Sequence, residues 1–122
     1  MPSTRHILIA EDHAAVRELL TTIVARIYLV CTITAVATGT EALAVYNDRG
    51  ADLLITDYAM PNMTGLVLIQ ILRTQQALIP ILVVSMNASI TEAVLQAGAT
   101  RFLPKPFSLH ALQQTMIELL PP

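Results

Sequence analysis

Apolar residues fall along this chain in two alternating rhythms. HILIA (6–10) is a short run containing β-branched residues, and behind it Val16, Leu19, Leu20, Ile23, Val24 and Ile27 recur at the spacing of one helix face. The pair then repeats. CTITAVA (31–37) predicts a second strand, and Thr38-Gly39-Thr40 opens a helix through about Asn47. DLLIT (52–56) predicts a third strand, followed by a helix over 64–74. PILVVS (80–85) predicts a fourth, then a helix over 89–96 that Gly98 closes just past its end. TRFL (100–103) is a short fifth strand, and Ser108 is placed to cap a last helix carrying Leu109, Leu112, Met116 and Leu119.

Strands alternating with helices imply a parallel sheet covered on both faces. Right-handed crossovers then give a doubly wound α/β fold whose ligand crevice lies outside the carboxyl ends of the strands. No internal repeat, linker or low-complexity tract interrupts the pattern, so residues 1–122 read as one domain. The chain stops one helix after the fifth strand, and the expectation is that no output domain follows.

Composition narrows the function. Hydrophobic residues make up 54% of the 122 and charged residues 13%, against roughly 25% charged in ordinary domains. No apolar run reaches the ~18 residues of a membrane span, and MPSTRH has neither the apolar segment nor the cleavage site of a leader. One cysteine, Cys31, excludes an internal disulfide and fits a reducing cytoplasm, where it reads as an inert strand residue. A net charge of −2 without a basic cluster argues against direct nucleic-acid or membrane contact. Neither phosphate-loop nor dinucleotide glycine signatures are present. His6, His13 and His110 have no metal-ligand spacing, although His13 stands beside an acidic pair at the expected crevice rim.

In the predicted fold, residues just past each strand share one edge. Glu11 and Asp12 follow the first strand, Asp57 the third, Ser85 the fourth and Lys105 the fifth. Three of the nine acids and the only lysine therefore converge. Three carboxylates brought close form a hard oxygen site suited to Mg²⁺, which takes few protein ligands. A lysine and a hydroxyl nearby could bind the oxygens of a phosphoryl group carried on one carboxylate. Each residue alone has a plainer reading. Asp12 would be the N-cap of the first helix, Asp57 a turn residue, Lys105 a solvated lysine, Ser85 a cap and Phe102 a core aromatic. All of them together, each at its own strand end, are hard to produce as caps.

The chain resembles the receiver domains of two-component response regulators, the family that includes the chemotaxis regulator. The resemblance runs from ILIAEDH to RFLPKPF. It rests on the acidic pair after the first strand, D-x-x-M-P-x-M-x-G beginning at Asp57, and Lys105-Pro106-Phe107. It implies a flavodoxin-like three-layer (βα)5 sandwich with strand order 2-1-3-4-5. By the same resemblance Asp57 is the phosphoacceptor, and Glu11, Asp12, Asp57 and the backbone carbonyl of Ala59 hold Mg²⁺. Lys105 and Ser85 contact the phosphoryl group, Ser85 and Phe102 form the switch, and the Lys105–Pro106 bond is cis. Pro61 and Gly65 shape the loop that Met60 and Met63 plug into the core. The implied partners are a sensor histidine kinase or phosphotransfer protein and a downstream protein target, engaged through the face of the fourth helix, fifth strand and fifth helix.

Two departures stand out. Position 86 is usually small in the family; Met86 would crowd the phosphoryl site and, with Ala59, modulate access to it. Apolar residues also fall where the family is usually polar. Val67 and Ile71 lie opposite Leu68 and Leu72 on the third helix, and Tyr28-Leu29-Val30 leads into an edge strand. Both suggest extra apolar surface, a partner or homo-oligomer interface, or a sequence altered by engineering. A phosphatase of the haloacid dehalogenase type would need a second Asp where Ala59 stands. A receiver-like scaffold that is not phosphorylated draws support only from Met86 and the apolar surface.

Overall fold

Parity along each strand decides the architecture. Ile7, Ile9, Leu53, Ile55, Leu82 and Val84 are buried against one layer of helices, while Leu8, Ala10, Leu54, Ile81 and Val83 are buried against the other. Side chains alternate between the faces of a strand, so near-continuous apolar runs can only be satisfied by a sheet covered twice. The computed structural model describes residues 4–122; the first three residues of the MPSTRH reading lie outside it.

The elements follow in the order β1 (Arg5–Ala10), α1 (Ala14–Ile27), β2 (Cys31–Val36), α2 (Gly39–Arg49) and β3 (Leu53–Asp57). They continue with α3 (Gly65–Thr74), β4 (Ile81–Ser85), α4 (Thr91–Ala97), β5 (Arg101–Pro104) and α5 (Leu109–Leu119). All strand pairs are parallel in the order β2-β1-β3-β4-β5, the expected doubly wound topology. α1 and α5 pack on one face, α2, α3 and α4 on the other. The register keeps like with like, pairing Ile55 with Leu82 on one side and Leu54 with Ile81 on the other. Truncating one such residue, Leu54 to Ala, would remove about 2–5 kcal/mol. Among the described residues no helix is long and apolar enough to cross a membrane.

Local chemistry sets the boundaries. Thr38 caps α2 by accepting from the Glu41 amide at 3.1 Å, and Ser108 caps α5 by accepting from Ala111 at 3.0 Å. Gly98 ends α4 with φ +120°, where its missing Cβ also leaves room for the Arg73 side chain.

Several expectations need correction. The third strand runs one residue further than read, so Asp57 is its last member rather than the residue beyond it. The expected helix over 89–96 is a 3-10 turn at Ala88–Ile90 capped by Asn87, followed by α4. Leu19 and Leu109, read as core positions, are about half exposed, because each lies at the margin of its helix's apolar stripe. Tyr28 is not surface. It is buried four residues beyond Val24 on the α1 core face, and its hydroxyl donates to the Leu120 and Met116 carbonyls at 2.7 and 3.0 Å. Leu29 and Val30 are indeed exposed, at 87% and 73%, but precede β2 rather than belonging to it. Val67 is exposed and Ile71 half-buried.

Candidate functional site

The carboxyl ends of the strands carry ladder bonding one residue past the sheet. The Glu11 amide donates to the Val36 carbonyl at 3.0 Å, and the Lys105 amide donates to the Ser85 carbonyl at 2.9 Å. Both residues are thereby held at one rim with the ends of β3 and β4 between them. Asp57 and Ser85 close those two strands and are buried. The loop after β3 folds back so that the Gly65 amide donates to the Tyr58 carbonyl at 2.8 Å. A Cβ on Gly65 would lie 2.4 Å from the Asp57 carbonyl oxygen, so only glycine lets α3 start this close. Met60 is buried and Met63 half-buried in the core beneath α3, as the motif implies.

The charged groups interlock. Lys105 Nζ lies 2.7 Å from Glu11 Oε1 and 3.5 Å from Asp57 Oδ2. Asp57 Oδ1 accepts from the Tyr58 amide at 2.7 Å, and Glu11 Oε2 accepts from the His13 amide at 3.1 Å. Glu11 is fully buried. That burial pushes its carboxyl above the ordinary range, and the bond from Lys105 pulls it back only in part. Carboxylate oxygens of Glu11, Asp12 and Asp57 lie within 4.8 Å of one another. A donor set of three hard oxygens at this spacing fits a small divalent cation.

A cleft of about 350 Å³ opens over these groups, lined among others by Asp12, Asp57, Ala59, Ser85, Met86 and Lys105. The sequence reading thus brings its acids, serine, lysine and Met86 to one place. Asp12 is exposed, and the N-cap of α1 is His13 without a side-chain bond, so the reading of Asp12 as a cap fails. Ser85 Oγ accepts from the Asn87 amide at 3.1 Å; the cap itself is Asn87. Phe102 is half-buried on β5 opposite Val83, against the α2–α4 core. Met86 is 82% exposed and walls the opening rather than pressing on Asp57. The Lys105–Pro106 bond is cis. Tyr58, Asn87 and His13 also line the cleft. Adjacency to Asp57, Ser85 and Asp12 was the only sequence signal for them.

Met86 and Lys105 also wall a second, apolar cleft of about 320 Å³ with Val16, Leu19, Pro106 and Phe107. It continues along α1 past Leu19 and Phe107 to Ile23, Arg26 and Leu109.

Comparison with known proteins gives one consistent answer. The family model described as the response regulator receiver domain matches residues 7–117. The response regulator MprA of Mycobacterium ulcerans is 37% identical over 116 residues, covering 93% of this chain and 49% of the relative. The DNA-binding transcriptional regulator NtrC of Salmonella typhimurium is 30% identical over 103 residues, covering 83% of this chain and 22% of the relative. The chain therefore spans about half the length of the first of these relatives and under a quarter of the second. Among solved structures, the chemotaxis response regulator CheY4 of Vibrio cholerae superposes with a TM-score of 0.87 at 27% identity. That match covers 97% of this chain and 100% of the other.

Proposed function

The chain belongs to the response regulator receiver family, and from that premise we propose that Asp57 accepts a phosphoryl group and that the modification switches the protein partner the domain engages. The observation that carries this is the disposition of Asp57. One carboxylate oxygen is fixed by the Tyr58 amide, while the other faces Lys105 in an open cleft beside Asp12. A carboxylate is a weak nucleophile, and its attack on phosphorus requires neutralised charge on the transferring group. The Asp57 oxygen forms the new P–O bond as the donor's leaving atom departs in line. Lys105 meets one phosphoryl oxygen and the Ser85 hydroxyl donates to another, with Phe102 following Ser85 into the space it leaves. The residues that fit Mg²⁺ are Glu11, Asp12 and Asp57 with the Ala59 carbonyl. When bound, the ion supplies charge neutralisation and in-line orientation. Met86 and Ala59 set how readily water and small donors reach the group.

The donor on this reading is a sensor histidine kinase or phosphotransfer protein. The apolar cleft along α1, continuous with the acidic one through Met86 and Lys105, is where its surface would rest. The output runs through the α4–β5–α5 face, which carries Phe102. The domain is a signalling module, and phosphoryl transfer to and from Asp57 is its own chemistry. The test is the protein's mass after incubation with acetyl phosphate and Mg²⁺. Wild type gains one hydroxylamine-labile phosphoryl group and Asp57→Asn gains none. Phosphorylation of that variant to the wild-type extent would overturn the assignment.

A further inference from the structure

β2 is a terminal strand of the sheet, and β1 is its only strand partner among the described residues. The Val36 carbonyl accepts from the Glu11 amide, so the backbone of Val36 points inward to β1. Backbone direction alternates along a strand. Thr32 and Thr34 therefore point inward with Val36, whereas Cys31, Ile33 and Ala35 turn their N–H and C=O groups outward. Among the described residues nothing bonds to those outward groups.

The two edges of the sheet differ in chemistry. β5 carries Arg101, ion-paired with Glu118 at 2.7 Å, and ends in Pro104, which has no N–H. Charge and proline at an edge keep other strands away. β2 has neither: from Tyr28 to Thr40 the chain contains no charged residue and no proline. Arg49 reaches the Thr34 hydroxyl from α2, on the face of the sheet and out of the plane in which a further strand bonds.

We propose that the outer edge of β2 pairs antiparallel with the same edge of a second copy of this chain, about a two-fold axis at Ile33. A row of free N–H and C=O groups is matched by another strand, and this strand is complementary to itself. With Ile33 opposite its own copy, Cys31 exchanges both backbone bonds with Ala35 of the second copy, and Ala35 with Cys31. Thr32 falls opposite Thr34, a threonine pair of the kind favoured across antiparallel strands. The same register sets Val30, 73% exposed, opposite half-buried Val36, and Leu29 opposite Ala37. One alignment thus satisfies the free backbone groups and covers the apolar residues that lead into the strand. A two-fold contact closes on itself, which limits the assembly to a dimer. It uses none of the groups placed around Asp57.

Sedimentation of the wild-type chain should show a reversible monomer–dimer shift between about 1 and about 300 µM. Ala35→Pro deletes one outward N–H, which a free edge tolerates. Thr32→Lys sets an ammonium beside the two-fold axis, at an exposed position. Each should weaken association more than about tenfold with the fold retained, whereas Val67→Glu should leave it unchanged. A wild type monomeric throughout that range would overturn the inference, as would a dimer lost in Val67→Glu and kept in Thr32→Lys. Should Ala35→Pro not fold, hydrogen exchange of the wild-type amides decides. Thr32, Thr34 and Val36 should be protected at every concentration, and Cys31, Ile33 and Ala35 only as the dimer forms. Protection of that second set that does not rise with concentration would equally overturn it.

Discussion

Tyr28 shows how one side chain couples two helix ends. Its hydroxyl is buried against the Leu120 and Met116 carbonyls, and burial pushes the phenol up to about 12. Below the ordinary tyrosine value of about 10 the phenol is protonated folded or unfolded, so its contribution is fully present. Between about 10 and about 12 the unfolded chain loses the proton first, and stability falls by about 2–3 kcal/mol across that window. Tyr28→Phe should lose about 1 kcal/mol at neutral pH and flatten the alkaline decline, read by urea unfolding at a series of pH values. An unchanged alkaline slope would remove Tyr28 from that role. At the cleft, Met86→Ala opens a wall shared by both cavities. Formation and hydrolysis of the acyl phosphate should both accelerate, by less than about tenfold because an exposed rim controls little of the barrier. Acceleration of only one would show that Met86 does more than regulate access.

Elements position the site through their ends. α3 begins against the Asp57 carbonyl only because residue 65 has no side chain. Gly65→Ala should therefore push α3 away from the end of β3, cost about 1–3 kcal/mol in thermal or urea unfolding and slow phosphorylation of Asp57. Unaltered phosphorylation kinetics would mean the loop adjusts without moving the acid. Much of this was legible beforehand: Thr38 and Ser108 are the caps their sequence contexts suggested, and Gly98 ends α4. Caps and glycine stops act within a turn, so local sequence contains their cause. The 3-10 turn before α4 was not legible, because Asn87 captures the Ser89 amide in a way many polar loops could. The exposed Leu19 and Leu109 were misread because periodicity gives a stripe's direction more accurately than its width.

The whole molecule leaves apolar surface uncovered at Val67, at Leu29 and Val30, and in the cleft along α1. Sedimentation at micromolar concentration should reveal reversible self-association, weakened by Val67→Glu if the α3 face carries it. A strictly monomeric wild type would assign this surface to other partners. By itself the sequence determined the alternation of strands and helices, the double covering of the sheet, and the gathering of Glu11, Asp12, Asp57, Ser85 and Lys105 at one edge. Those follow from side-chain periodicity and the handedness of crossovers, which operate over neighbouring residues. Only the tertiary structure decided that Lys105 rests on Glu11 across 94 positions, that Tyr28 is core, and that Met86 joins two clefts. Periodicity brings groups to an edge, but which of two carboxylates an ammonium meets depends on ångström differences in burial and approach. Those are set only when distant strands and helices pack together.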